Sequence, residues 1–195
     1  MHPSPYIIGV TGGIGSGKSV VSRLLRLMGV PVYDCDSEAK RLMCESTVIR
    51  EALICKVGDE VYDAGGNLNR AYLASYMFAA AGRVALVNSI VHPVVRADFK
   101  QWAQKAGRSV VAVESAILFE AGMEADVDSV WLVNASEDIR MKRAIKRDVS
   151  SEETVRGRMK SQLSEQEFIR RADVIIYNDG DCSLVQQVRE SLGRI

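Results

Sequence analysis

The sequence predicts an α/β fold in which a five-stranded, mostly parallel sheet has helices on both faces. Apolar runs rich in β-branched residues recur along the 195 residues, and such runs are typical of strands buried on both faces. Segments with apolar residues at helical spacing separate the runs, which favours parallel strands joined by right-handed crossovers. The first run also leads directly into a glycine-rich loop and a helix.

The strands are predicted in chain order from these apolar runs. The runs cover residues 6–10, 30–33, 110–113, 130–133 and 174–177. A helix is predicted over residues 19–28, because its apolar side chains recur every three or four positions, and Gly29 ends it.

The connection between the second and third strands is longer than a simple crossover needs, at about seventy-five residues. Residues 58–69 in it are rich in turn-forming types, and helices are predicted over residues 71–81 and 84–105. His92-Pro93 is expected to break the second of these helices.

Three regions are expected within the single chain. The core is expected over about residues 1–56, 108–136 and 161–195. A helical insertion that binds substrate is expected over about residues 57–107, and a lid rich in arginine and lysine over about residues 137–160.

Residues 12–19, Gly-Gly-Ile-Gly-Ser-Gly-Lys-Ser, match the phosphate-binding pattern G-x-x-x-x-G-K-[ST] between a predicted strand and a predicted helix. We call them the phosphate loop. Glycine permits positive φ angles, so that successive amide N–H groups can face a polyphosphate. Such angles are expected at Gly12, Gly13, Gly15 and Gly17. The alternative is a glycine-rich turn that binds nothing.

The loop and its surroundings predict a nucleoside triphosphate site. Lys18 is expected against the β- and γ-phosphates, and the Ser19 hydroxyl against Mg²⁺. Asn178 follows the last predicted strand, where it can contact adenine or simply hold a turn. The predicted nucleotide-binding residues are Gly12, Gly13, Ile14, Gly15, Ser16, Gly17, Lys18, Ser19, Val20 and Asn178.

Charge and composition argue against several classes of protein. Lys plus Arg equals Asp plus Glu at 25 each, so no overall positive field would hold nucleic acid or an anionic membrane. The four cysteines show no C-x-x-C spacing, which indicates reduced thiols. Few residues precede the first strand, and charges interrupt every later apolar run. A cytoplasmic protein, monomeric or weakly homo-oligomeric, is therefore expected.

Asp34-Cys35-Asp36 follows the second strand, at the sheet edge where open α/β sheets bind ligands. In an extended segment, both carboxylates would point the same way. One can accept the proton of an acceptor hydroxyl, and the other can orient magnesium-bound water or hold the acceptor. Asp36 can instead be the N-cap of the next helix. The sequence does not choose between the two aspartates as the base.

Arginines and a histidine are further candidates. Arg140, Arg143 and Arg147 fall at i, i+3 and i+7, on one face of the helix after the fourth strand. They either close over phosphates as part of a lid or form a solvated basic face. His92 and Arg96, one helical turn apart, can share a phosphate, although a single histidine is more often a structural hydrogen-bonding group.

Together, these motifs resemble those of the dephospho-coenzyme A kinases almost from end to end. The resemblance is carried by residues 11–19, Asp34-x-Asp36, His92-Pro93-x-Val95-Arg96, Leu118-Phe119-Glu120, Arg143 with Arg147, Gln162, and Ala172-Asp173 followed by Asn178. Their order and spacing are more specific than the phosphate loop alone.

The resemblance implies a P-loop kinase fold, with a helical domain for the coenzyme A precursor and a lid. It also implies that ATP, with Mg²⁺, phosphorylates the 3′-hydroxyl of the ribose in dephospho-coenzyme A. Catalytic roles are then expected for Asp36, Asp34, Lys18, Arg143 and Arg147. Substrate contacts are expected for His92, Arg96, Leu118 and Glu120.

Three positions depart from the pattern of this family. Val20 stands in place of a frequent threonine, Cys35 of a common alanine, and Ala116 of a usual proline. None of these changes removes a reacting group, but Ala116 affects the loop after the third strand and hence the path of the pantetheine arm.

Two other functions fit part of the sequence. Another nucleoside or nucleotide kinase would share the phosphate loop, the paired aspartates and the arginines. A nucleotide-dependent switch or motor-type ATPase would instead hydrolyse ATP without an acceptor.

Overall fold

The computed structural model describes residues 4–149 and 151–195, which form two compact units. The first, which we call the sheet unit, comprises the residues up to Tyr33 and those from Ala103 onward. The second, which we call the helical unit, comprises Asp34–Trp102. Every helix in the described part of the chain is too short or too polar to cross a lipid bilayer.

Five strands form the sheet. They are β1 (Tyr6–Thr11), β2 (Val32–Asp34), β3 (Val110–Glu114), β4 (Ser129–Asn134) and β5 (Val174–Tyr177). Their order in the sheet is β2-β3-β1-β4-β5. β1 pairs in parallel with both β3 and β4, and β4 pairs in parallel with β5. The predicted α/β fold is confirmed, and each predicted strand is present.

β2 begins later than the apolar run predicts. The N–H of Val30 donates to the carbonyl of Leu25 in the last turn of α1 (Lys18–Leu27) at 3.0 Å, so Val30 is held by the turn that ends this helix and not by the sheet. Pro31 has no N–H to donate to a strand. The strand therefore begins at Val32, while the carbonyl of Pro31 accepts a hydrogen bond from Ala112 in β3 (2.8 Å).

Helices separate most of the strands along the chain, but the segment from β3 to β4, which is described throughout, contains a 3₁₀ turn (Met123–Asp126) and no α-helix, so the predicted helical separation is wrong there. The helices are α1 (Lys18–Leu27), α2 (Cys35–Glu45), α3 (Thr47–Val57), α4 (Arg70–Phe78), α5 (Arg83–Lys105), α6 (Glu137–Asp148), α7 (Glu152–Lys160), α8 (Glu165–Arg171) and α9 (Leu184–Leu192). The turn-rich segment before α4 contains a short 3₁₀ turn (Asp59–Val61) and a bridge between Tyr62 and Leu68.

The core of the sheet unit lies on the central strands. Ile8 of β1, Trp131 of β4 and Ile176 of β5 are almost completely buried, and they belong to one cluster with Leu25 of α1 and Val188 of α9. Each such side chain contributes about 1.5–3 kcal/mol of transfer free energy. This packing holds the carboxyl end of β1, from which the phosphate loop starts.

α5 is one continuous helix of 23 residues, so the predicted break at His92-Pro93 is wrong. A proline inside a helix removes one backbone hydrogen bond, here the bond to Ser89, and costs about 3 kcal/mol. Four side chains at a spacing of four residues are buried on both sides of the proline: Val87, Val91, Val95 and Phe99. Their burial outweighs the cost of the proline, because each contributes about 1.5–3 kcal/mol.

Replacing Pro93 by alanine should raise the free energy of unfolding by up to about 3 kcal/mol, because the new N–H can donate to the Ser89 carbonyl. Pro93 is exposed, so no buried contact is lost. Chemical denaturation measures the change. Gln101→Ala, on an exposed position of the same helix, is the control and should change stability by less than about 0.5 kcal/mol. A less stable Pro93→Ala variant would contradict this account of α5.

Candidate active site

The phosphate loop connects β1 to α1. Gly12, Gly15 and Gly17 have positive φ angles of 149°, 76° and 98°. Gly13 does not, so the prediction of a positive φ at this position is wrong. The absence of a side chain at Gly13 instead leaves space for the guanidinium of Arg140, because a Cβ there would collide with Nη1.

Backbone atoms crowd the loop at two other glycines. A Cβ on Gly12 would collide with the carbonyl oxygen of Val133 in β4, and a Cβ on Gly15 with the carbonyl oxygen of Arg140 in α6. A packed backbone cannot move aside as the end of a side chain can. The loop therefore lies directly against the end of β4 and the first turn of α6, and only glycine fits at these two positions.

Donors and a cation converge on the loop. The amide groups of Gly15 and Gly17 donate to no acceptor in the described part of the chain. Lys18 Nζ lies 2.8 Å from the carbonyl oxygen of Gly12 and 3.4 Å from that of Gly13. The N-terminus of α1 adds the positive end of a helix dipole. Together these groups fit an anion with several oxygens, such as a polyphosphate.

Two side-chain amides hold the middle of the phosphate loop, residues 14–16, which we call its crest. Gln162 Oε1 accepts a hydrogen bond from the amide N–H of Ile14 (2.8 Å). Asn178 Nδ2 donates to the carbonyl oxygen of Ser16 (2.7 Å). Asn178 is itself fixed at the end of β5, where its backbone N–H donates to the carbonyl of Asn134 (2.7 Å). One N–H of the Asn178 side-chain amide thus holds the loop, and its second N–H and its Oδ1 are left to contact a base.

The arginines of α6 have different environments. Arg140 Nε and Arg143 Nη1 are buried and have no hydrogen-bond partner among the described residues. Arg147 is exposed and is paired with Asp148 (2.8 Å), which also accepts a hydrogen bond from Arg158 (2.7 Å). The hydrogen bonds from Arg147 hold the pKa of Asp148 below its usual value. Arg140 and Arg143 therefore keep unpaired donors, whereas Arg147 does not.

A polar cavity of about 390 Å³ adjoins the loop. Its wall includes Arg140, Arg156, Lys160, Gln162, Glu137 and Glu165. Arg156 is already paired with Glu152 (2.6 Å). Gln162, which lines the cavity, also accepts a hydrogen bond from Ile14 of the phosphate loop.

The two aspartates after β2 have separate roles. The carboxylate of Asp34 caps α2, because it accepts hydrogen bonds from the amide of Asp36 (3.1 Å) and from the amide and hydroxyl of Ser37 (3.3 and 2.9 Å). Asp36 lies in the first turn of α2, is exposed, and has no carboxylate partner in the described chain.

Two expectations for these aspartates are therefore wrong. Asp36 is not the N-cap, and the pair does not share an extended segment, because α2 already begins at Cys35. The carboxylate of Asp34 is engaged in capping. That of Asp36 is free to accept a proton.

His92 and Arg96 lie one turn apart on α5 of the helical unit. His92 is half-buried, and burial lowers its pKa from the usual value. The imidazole is therefore neutral near pH 7, so it can hydrogen-bond an acceptor but cannot contribute a positive charge to phosphate binding.

The other two predicted substrate residues differ in exposure. Leu118 is completely buried beside Gly9 of β1 and Val127, so its side chain packs in the core of the sheet unit. A side-chain contact between Leu118 and a substrate does not fit this position. Glu120 is exposed and can reach a ligand.

Two residues beside the phosphate loop have no site role of their own in the sequence. Arg140 is predicted there only together with Arg143 and Arg147, either over phosphates as part of a lid or on a solvated basic face, and Gln162 is only one position in a family pattern. The helical spacing of Arg140 with Arg143 is the one available signal for the first. No local signal marks the second, because Ile14 and Gln162 are 148 residues apart.

Comparisons with known proteins cover most of the chain. A family model described as dephospho-CoA kinase matches residues 6–183. A dephospho-CoA kinase from Bacteroides fragilis (strain YCH46) is 46% identical over 184 residues, which are 94% of this chain and 89% of that protein. The crystal structure of TT1252 from Thermus thermophilus is 32% identical, with a TM-score of 0.84 over 98% of both chains. A dephospho-CoA kinase from Campylobacter jejuni, 21% identical over 96% of each chain, shares the fold with a TM-score of 0.72.

Replacing Gly15 by alanine should weaken ADP binding by at least about tenfold, because its φ of 76° and the Arg140 carbonyl leave no place for a Cβ. Calorimetric titration with ADP measures the affinity. Gly157→Ala in α7 is the matched control, since a Cβ there meets nothing within 4 Å. It should keep the ADP affinity and raise stability by about 1 kcal/mol. Parental affinity in Gly15→Ala would contradict the assignment of the loop.

Proposed function

Since the chain belongs to the dephospho-CoA kinase family, we propose that it transfers the terminal phosphoryl group of ATP to the 3′-hydroxyl of the ribose in dephospho-CoA, giving CoA and ADP. The observation that carries the proposal is the phosphate loop, with free amides at Gly15 and Gly17 and with Lys18 beside them, in a chain whose family match covers residues 6–183. A cytoplasmic location and a monomeric or weakly oligomeric state are part of the proposal.

The phosphate loop binds the phosphates of ATP. The Gly15 and Gly17 amides donate to phosphate oxygens, and Lys18 turns from the carbonyl of Gly12 to the β- and γ-phosphates. The part of the chain that is described has no cluster of three His, Cys, Asp or Glu side chains suited to a metal ion. The exposed Ser19 hydroxyl, together with ATP itself, would hold Mg²⁺, which neutralises phosphate charge when bound.

Asp36 is the general base for the ribose hydroxyl. Its carboxylate is exposed and has no hydrogen-bond partner within residues 4–149 and 151–195, which supports this choice over Asp34. Asp34 acts as a positioning residue, because its capping contacts hold the first turn of α2, which carries Asp36.

Arg143 and Arg147 bind the transferring phosphoryl group and stabilise its charge. The unpaired Arg143 Nη1 supports the first assignment, because a buried guanidinium nitrogen without an acceptor is unfavourable until an anion binds. Arg147 must exchange Asp148 for phosphate, and this costs little, since an exposed ion pair is worth about 0–1 kcal/mol. Arg140, beside Gly13, adds a third cation.

The helical unit binds dephospho-CoA through His92 and Arg96. Arg96 supplies the positive charge, because His92 is neutral near pH 7 and can only donate or accept a hydrogen bond. Glu120 contributes a polar contact from the loop after β3, and Leu118 supports that loop from the core.

A coupled assay of ADP release tests the reaction. Dephospho-CoA should be the preferred acceptor over nucleosides and nucleoside monophosphates, and ³¹P NMR should locate the new phosphate on the ribose 3′-oxygen. Faster turnover with a nucleoside monophosphate would identify another nucleotide kinase. ATP hydrolysis at the same rate with and without an acceptor would indicate an ATPase.

Replacing Asp36 by alanine should lower turnover with dephospho-CoA by about two to four orders of magnitude, because it removes the general base. ADP affinity and stability should stay at parental values, since the carboxylate is exposed. The matched control is Asp34→Ala, which should lower the free energy of unfolding by about 1 kcal/mol through loss of the cap. Near-parental turnover in Asp36→Ala would remove the base role from Asp36.

A further inference from the structure

We propose that Gln162 is a positioning residue for ATP: by accepting the Ile14 hydrogen bond, it keeps the crest of the phosphate loop in the shape that receives the phosphates, and it makes that shape depend on α6 and α7. The inference rests on the proposed function and adds a residue that need not touch the reacting atoms.

The contact between Gln162 and the loop is well defined. Gln162 Oε1 accepts from the Ile14 amide at 2.8 Å in a half-buried place. The backbone N–H of Gln162 donates to the carbonyl of Met159 (3.2 Å), which fixes the residue just beyond the last turn of α7. Gln162 Nε2 donates to no other described residue, so the Ile14 contact orients the carboxamide.

The phosphate loop has little internal support. Four of residues 12–17 are glycine, and glycine loses more conformational freedom on ordering than any other residue. One backbone hydrogen bond closes the loop from within, from the amide of Ser16 to the carbonyl of Gly13 (3.1 Å). Fixed contacts from outside therefore lower the cost of ordering the loop around phosphate. Gln162 supplies one of them at Ile14, and Asn178 supplies the other at Ser16.

Ile14 also contacts the lid region through its side chain. It packs against a buried cluster of Met141 and Ala144 from α6 and Val155 from α7. Gln162 directly follows the same α7, so the backbone and the side chain of Ile14 are both held by one helical pair. A shift of α6 and α7 must therefore change the crest of the loop. This links the position of the arginines of α6 to the shape of the phosphate site.

The test replaces Gln162 by leucine, which keeps a similar volume but cannot accept a hydrogen bond. The matched control is Gln166→Leu on α8, where the side chain is exposed. Hydrogen exchange of the Ile14 amide, followed by NMR, should become at least about tenfold faster in Gln162→Leu only. The Kd for ADP and the KM for ATP should rise by about fivefold to tenfold, with the KM for dephospho-CoA unchanged.

A second variant guards against a folding defect. Gln162→Asn keeps the carboxamide but withdraws it by one methylene group, and should show the same rise in the Kd for ADP. Unchanged exchange at Ile14 in both variants would overturn the contact. Faster exchange with parental ADP affinity would overturn the positioning role.

The result is independent of the acceptor, because ADP binding needs no phosphoryl transfer. A parental protein that fails to phosphorylate dephospho-CoA, together with a weakened ADP affinity in Gln162→Leu, would refute the proposed reaction and leave the role of Gln162 intact. Phosphorylation of dephospho-CoA by the parental protein, together with unaltered ADP affinity in the variants, would support the proposed reaction and refute the role of Gln162.

Discussion

The site depends on one constraint, which is that backbone amides of the phosphate loop must face inward with no side chain in the way. β1 lies between β3 and β4 in the middle of the sheet, so the loop starts from the central strand, which is paired on both sides. At Gly12 and Gly15 the neighbouring backbone of β4 and α6 leaves no room for a Cβ. The close packing of the loop against the backbone of β4 and α6 excludes larger residues and also fixes the shape of the loop.

The arginines of α6 differ in whether their charge is already paired within the described protein. The chain has no net charge, yet Arg140 and Arg143 keep buried nitrogens without acceptors in the described structure. An unsatisfied buried donor is unfavourable, and an anion that accepts from it recovers that free energy. Arg147 instead forms an exposed ion pair with Asp148, and replacing Asp148 by another anion costs little free energy. Arg140 and Arg143 are thus suited to a fixed contact with an anion, whereas Arg147 is suited to a contact that forms only when it leaves Asp148.

The two aspartates after β2 differ because α2 begins between them. α2 begins at Cys35, so the carboxylate of Asp34 satisfies the free amides of the first turn, while Asp36 is part of that turn and stays exposed. Residues of one type two positions apart therefore have different environments, one engaged in capping and one exposed. Capping by Asp34 also fixes the orientation of the turn that carries Asp36.

The five strands and the phosphate loop were determined by the sequence alone, because they depend on local runs of apolar residues and on glycines at set spacing. The family pattern likewise marked Asp34, Asp36, Arg143 and Asn178. Local patterns could not show that α5 continues through Pro93, since the packing of its buried stripe outweighs the propensity of one residue. Nor could they show that Gln162 holds Ile14, a contact across 148 residues. Only the tertiary structure decided these points, because the energies involved come from groups that the fold, and not the chain order, makes neighbours.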